Sequence, residues 1–189
     1  MKKCGYLEVI AGPMYCGKTE ELIRQVKRAT IGKKNVIVFK HAIENRYGKD
    51  HKVHTHSGIS FQSILITHPK EILRHVKSST DMIAIDEAQW LGEDLVDVAQ
   101  KLLSLKKHII VAGLAMTFDR QPFAPVPTLM AMADKVTKLS AICSICGSDA
   151  VFHKRIIKGK SPDALIADPS FVAGLETYEA RCRNCFKKK

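Results

Sequence analysis

The segment Gly12-Pro13-Met14-Tyr15-Cys16-Gly17-Lys18-Thr19 sets two glycines around four residues and follows them with Lys-Thr. That spacing lets successive backbone N–H groups wrap a polyphosphate, with Lys18 reaching the β- and γ-phosphates and Thr19 ligating Mg²⁺. Asp86-Glu87-Ala88-Gln89 puts two acids behind the apolar run Ile83-Ala84-Ile85. At a strand's carboxyl end, opposite a phosphate loop, such an acid holds Mg²⁺, and Asp86 is the candidate; an ordinary exposed strand end is the alternative. Cys143-x-x-Cys146 and Cys182-x-x-Cys185 form a third group. Each pair grips one edge of a metal ion, and two pairs complete the closed Cys₄ coordination of structural zinc, with a redox dithiol as the lesser reading. No fifth ligand accompanies them, so a catalytic metal is not expected there.

These groups need elements to carry them. Leu7-Glu8-Val9-Ile10-Ala11 reads as a strand entering the loop, and Leu22, Ile23 and Val26 give the following helix its apolar stripe, ending near Ile31-Gly32. Asn35 to Phe39 is a short apolar run of the kind a buried parallel strand shows, so strand, helix and strand imply a right-handed crossover. Ile64 to Ile66 predicts a brief strand, and Pro69 to Val76 a helix with proline in its first turn. Asp81 to Asp86 supplies the strand beneath the acids. Leu95, Val96, Val98, Ala99, Leu102 and Leu103 stripe a helix within Gly92–Lys106, and Ile109 to Gly113 is another buried strand. Leu114 to Pro127, with three prolines, reads as irregular chain at the sheet's carboxyl edge, where open α/β sheets bind ligands. Leu129 to Ala133 predicts a helix and Val136 to Leu139 the last strand of the sheet.

At Ala141 the composition changes. The two cysteine pairs are separated by 35 residues, which requires an excursion that leaves and returns; Phe152 to Ile157 and Thr177 to Arg181 read as its strands, and Gly159, Pro162, Pro169 and Gly174 mark the loop between. The expected organisation is an ATP-binding α/β domain over 1–140 and a zinc-binding domain with a substrate-covering loop over 141–189.

With 189 residues and 46% hydrophobic content the chain can bury one substantial core. No apolar run approaches the ~18 residues that span a bilayer, and Met1-Lys2-Lys3-Cys4-Gly5 contains no signal-peptide core, which points to the cytoplasm. Thirty Lys+Arg against 19 Asp+Glu give +11, which suits an anionic partner, a nucleotide or a nucleic acid. Charge alone does not choose between them. Lys27-Arg28, Lys33-Lys34, Lys106-Lys107 and Lys187-Lys188-Lys189 each read as wet surface, and no basic stripe interleaved with aromatics appears. His41, His51, His54 and His56 match no closed metal site and read as a solvated loop or hairpin.

The loop, the Asp-Glu-Ala-Gln segment, Thr117-Phe118-Asp119-Arg120-Gln121-Pro122-Phe123, and the cysteine pairs with Tyr178-Glu179-Ala180-Arg181 before the second pair together resemble the cytosolic-type (type II) thymidine kinases, over essentially the whole chain. The resemblance implies a RecA-like core with a small zinc domain and transfer of the γ-phosphoryl group of Mg-ATP to the 5′-hydroxyl of thymidine, giving dTMP for nucleoside salvage. It implies Glu87 as the catalytic base. It also places Gly12 to Thr19, Glu44, Asn45, Arg46 and Asp86 to Gln89 at ATP. Met14, Trp90, Leu114, Phe118 and Phe123 would wall the thymine slot, main-chain groups of Pro169, Ser170, Phe171, Val172, Ala173 and Gly174 would pair with the base edge, and Tyr178 would brace the sugar or base. A homotetramer and feedback by dTTP are further implications. The chain departs from the family's usual pattern with Cys16 for serine, Trp90 for phenylalanine, Ala115-Met116 for Asp-Gly and His153 for threonine. A nucleic-acid-dependent ATPase is the rival reading, from the charge and the Asp-Glu-Ala-Gln segment, but a single short core leaves little room for a helicase's second lobe.

Overall fold

The computed structural model describes residues 4–42, 52–54, 60–156 and 178–187. Strand β1 (Tyr6–Ala11) is buried at every position after Tyr6, so it needs cover on both faces. Helix α1 (Lys18–Ile31) and strand β2 (Val36–His41) follow, then a hairpin of β3 (Lys52–His54) and β4 (Ser60–Gln62), strand β5 (Ile64–Ile66) and the short helix α2 (Ile72–His75). Strand β6 (Met82–Asp86), helix α3 (Asp94–Ser104), strand β7 (His108–Gly113), helix α4 (Val126–Met132) and strand β8 (Lys135–Lys138) complete the main layer set.

Six strands form one parallel sheet in the order β5-β2-β6-β7-β1-β8. This sheet, with the glycine loop between β1 and α1, is the RecA-like core the resemblance implies. Alternate residues divide its two faces. Ile10, Val38, Met82, Ala84, Ile110 and Ala112 pack with Leu22, Ile23 and Val26 of α1. Val9, Phe39, Ile83, Ile85 and Val111 pack on the other face with Leu95, Val98 and Leu102 of α3 and with Leu129 of α4. A side chain such as Leu102, fully buried, contributes about 1.5–3 kcal/mol by leaving water. β7 separates β1 from β6, and α1 therefore crosses β7 and β6 on its way to β2. That crossing carries the start of α1 toward the end of β6.

The differences from the sequence expectations are local. The helix expected over Pro69–Val76 is a 3₁₀ turn, Pro69–Glu71, followed by the single α-turn of α2. His68 caps it, accepting from the Lys70 N–H while Glu71 accepts from the His68 N–H. α4 begins at Val126, three residues before the expected Leu129, because Pro127 already has helical φ. Beyond Ala141, two short pairs were not all foreseen: β9 (Ala141–Ile142) with β10 (Asp149–Ala150), and β11 (Phe152–Arg155) with β12 (Tyr178–Arg181). Of the histidine-rich segment, β3, which holds His54, pairs with β4 as a hairpin, whereas His41, expected in the same loop or hairpin, ends β2 and is half-buried; His51 and His56 lie outside the described residues.

Lys107 corrects the reading of Lys106-Lys107 as wet surface. Lys106 is exposed, but Lys107 is 8% exposed and its Nζ donates to the carbonyls of Lys77, Ser78 and Thr80 at 3.0, 2.8 and 2.6 Å. With Asn35, whose side chain donates to Ser79 O and whose backbone N–H donates to Asp81, it fixes the turn that feeds β6. Removing the ammonium strands three acceptors. Lys107→Met should cost about 2–3 kcal/mol and lower the melting temperature by roughly 5–10 °C in calorimetry; a melt unchanged to within a degree would deny Lys107 this role.

Candidate active site

The loop from Gly12 to Gly17 can form only with glycine at its ends. A Cβ on Gly12 would lie 2.5 Å from Cys16 Sγ and 2.7 Å from Leu139 O, and Gly17 has φ +81 at the N-cap of α1. The loop's backbone and the first turn of α1 together are suited to an anion. Lys18 donates from Nζ to Pro13 O at 2.6 Å, which keeps its ammonium over the loop.

Thr19 comes next in α1, and its Oγ1 donates to Asp86 Oδ2 at 3.1 Å across the gap between β1 and β6. Asp86 ends β6 and is 3% exposed. Burial first, and the neighbouring Glu87 charge second, push its carboxyl up to about 7, against the opposing pull of Lys40, the Glu87 N–H and the Thr19 hydroxyl. Lys40, itself buried, pairs in register with Asp86 on the adjacent strand and lies on the same sheet face. A cation bound between Thr19 and Asp86 would reverse the desolvation by favouring the carboxylate. The residues therefore fit a divalent ion.

Glu87 has φ 53, a left-handed conformation that a side chain of this size adopts only when its surroundings impose it. Its backbone N–H donates to Asp86 Oδ1 at 3.0 Å. The chain then closes a 3₁₀ turn over Ala88–Trp90, which turns Glu87 out of the strand line and sends Trp90 toward the irregular segment. Adjacent acids thus point to different tasks.

The expected aromatic walls form two groups. Trp90 meets Phe123 edge to face with centroids 5.6 Å apart. Phe118 lies 6.4 Å from Tyr178, and His153 approaches the same Tyr178 ring at 5.8 Å. Leu114 is buried beside Gly113, and Met14 is half-buried on the loop. His153 is 4% exposed, and burial, followed by the charge of Lys18, holds it down at about 4, so its imidazole is neutral near pH 7. The segment between these walls is shaped by Thr117, whose Oγ1 accepts from the Gln121 N–H at 3.0 Å and pairs with Asp119.

Cys143, Cys146, Cys182 and Cys185 bring their sulfurs within 4.8 Å of one another. Tetrahedral sites with Zn–S bonds of about 2.3 Å separate sulfurs by roughly 3.8 Å, and Cys146 Sγ to Cys182 Sγ is 3.6 Å, far beyond a disulfide. The cluster is thus suited to a metal ion, and its all-thiol donors suggest zinc. Gly147, with φ +72, completes the first knuckle, and the Ser144 N–H donates to Ala180 O to join it to β12. The same unit packs against Tyr15 and Cys16 of the glycine loop, and the Tyr15 hydroxyl donates to Tyr178 O at 3.3 Å. The thiol cluster and the anion loop share a wall.

Ala88 and Gln89, placed at ATP on the resemblance, lie behind Glu87: Ala88 is fully buried in the core cluster on the α3 face, and the Gln89 carboxamide is held by Glu87 and Leu114. Glu44, Asn45 and Arg46, and the loop of Pro169, Ser170, Phe171, Val172, Ala173 and Gly174, lie outside the described residues. Sequence reasoning missed Lys40, the Tyr15–Tyr178 tie and the His153–Tyr178 contact. Lys40 carried a signal, a cation at the end of an apolar strand; the other two depend on chain segments more than a hundred and about 25 positions apart.

Compared with known families, residues 5–186 match the family model described as thymidine kinase.

Elemental analysis of the purified protein should find about one zinc per chain, as a closed tetrahedral thiolate site requires. Cys182→Ser should lose that metal and its melt should fall. Four freely titrating thiols in the native protein, with no metal, would contradict the site.

Proposed function

The chain belongs to the thymidine kinase family, and from this premise we propose how its residues divide the reaction. The protein phosphorylates thymidine at the expense of ATP, giving dTMP. In our reading the triphosphate lies along the backbone of Gly12 to Gly17, with Pro13, Met14, Tyr15 and Cys16 between, and Lys18 leaves Pro13 O for the β- and γ-phosphates. Thr19 and Asp86 would hold Mg²⁺, which would supply positive charge to offset what develops on the phosphates. Glu87 orients the 5′-hydroxyl of thymidine in line with the γ-phosphorus and receives its proton. A bond forms from the 5′-oxygen to phosphorus as the bond to the β–γ bridging oxygen breaks, and ADP leaves.

The observation that carries this reading is the Thr19–Asp86 hydrogen bond with Glu87 one residue on, turned by its left-handed backbone. A sugar hydroxyl is a poor nucleophile, so a carboxylate must take its proton as phosphorus is attacked. Trp90, Leu114, Phe118, Phe123 and Tyr178 line the approach for the base, and Glu44, Asn45, Arg46 and Pro169 to Gly174 extend the same reading to the phosphates and the base edge.

The cysteine cluster takes structural Zn²⁺, which pins both ends of the 147–181 excursion without entering the chemistry. The division at residue 140 into a nucleotide-binding domain and a zinc-bearing flap belongs to this reading. So do a homotetramer, feedback by dTTP and a cytoplasmic location, which family membership supports; among the described residues no helix is long and apolar enough to cross a membrane.

Glu87→Gln should lower kcat by about 10²- to 10⁴-fold, the range for loss of a general base, with the KM for ATP nearly unchanged. Steady-state assays with thymidine and Mg-ATP check this. Wild-type turnover in the variant would take Glu87 out of the base role.

A further inference from the structure

Gln89 is 4% exposed, and its carboxamide bridges two parts of the site. Its Oε1 accepts from the Leu114 backbone N–H at 3.0 Å, and its Nε2 donates to Glu87 Oε2 at 2.5 Å. The orientation of the amide is forced. A backbone N–H can only donate, so the carbonyl oxygen must face Leu114 and the NH₂ must face the carboxylate. Gly113 leaves the space this requires, since a Cβ there would sit 2.9 Å from Gln89 Oε1 and 2.8 Å from Val126 Cγ2. The 3₁₀ turn after Glu87 brings position 89 back beneath the acid, with the Trp90 N–H donating to Glu87 O at 3.1 Å.

We propose that Gln89 is a positioning residue: its amide holds the Glu87 carboxylate in its reactive orientation and ties that orientation to Leu114 at the wall of the nucleoside slot. The inference rests on the reading of Glu87 as the base and deepens it. Glu87 protrudes from a left-handed backbone on a side chain with three rotatable bonds, and a buried amide donor selects one arrangement of it. Because the other end of that amide is fixed by the main chain at Leu114, a shift of the slot wall is passed to the carboxylate through the Gln89 amide alone. Gln89 acts through Glu87, whose Oε2 it holds, leaving Oε1 for the 5′-hydroxyl. Its neighbour Trp90, by contrast, is a wall of the slot through its contact with Phe123.

The test is a double-mutant cycle on the full chain. Gln89→Met keeps the length and removes both hydrogen bonds; Gln89→Asn keeps the amide but is one methylene short of spanning Glu87 and Leu114. Either should lower kcat about 100-fold, the cost of misplacing a reacting group by roughly an ångström, with the KM for ATP close to wild type and the melting temperature lowered by no more than the loss of a buried hydrogen bond brings. In the Glu87→Gln background the same changes should cost less than about threefold, because a residue acting through another loses its effect when that one is gone. Turnover within threefold of wild type in both Gln89 variants, while Glu87→Gln is inactive, would overturn the positioning role and leave the base assignment standing. An equal cost in both backgrounds would also overturn it, as the mark of a general packing role. Full turnover in Glu87→Gln alone would remove the base assignment and this inference with it.

Discussion

The hydrogen bond from Thr19 to the buried carboxylate of Asp86 is the contact on which the site depends. It joins the first turn of α1 to the end of β6, segments that are 67 residues apart and carried by strands that are not neighbours in the sheet. Buried acids are costly unless they have partners. Asp86 has the Thr19 hydroxyl, the Glu87 N–H and the charge of Lys40 beside it, and these still leave it pushed up to about 7. A dication at this point would meet a site already arranged for positive charge.

The topology supplies that contact. With β7 placed between β1 and β6, α1 must cross the sheet obliquely, and its amino end arrives over the carboxyl ends of the strands. The opposite, amino ends of the central strands are fixed by Lys107, Asn35 and Asp81, so the strand that bears the acids starts from an anchored turn. Beyond the glycine loop, the thiol cluster packs against Tyr15 and Cys16, and Tyr178 is tied to Tyr15. Anion loop, acids and aromatic walls are therefore parts of one packed unit rather than separate motifs that happen to be near each other.

Most of the framework that carries the candidate site was legible because its signals are local. The glycine spacing, the acids at a strand end and the cysteine pairs each imply their own backbone, and β1, α1, β6 and the knuckles lie where those spacings place them. Continuous apolar runs and helical stripes gave the strands and α3 for the same reason. What was not legible depends on tertiary neighbours. Lys107 and Lys106 look alike in the sequence, and only the turn at 77–80 decides that one is buried. Gln89 reads as part of an acidic motif, yet its partner is a main-chain N–H 25 residues later. The ring of Tyr178 becomes a shared wall for Phe118 and His153 only after β11 and β12 have paired.

The most direct test is a crystal structure with ADP, Mg²⁺, thymidine and a planar metal fluoride in place of the transferred phosphoryl group. The account predicts the Glu87 carboxylate within about 3 Å of the 5′-oxygen, hydrogen-bond reach for a general base, with Thr19 and Asp86 directed at the metal and Lys18 at the fluoride. A Glu87 carboxylate remote from the 5′-oxygen, or a metal held elsewhere than by Thr19 and Asp86, would contradict it.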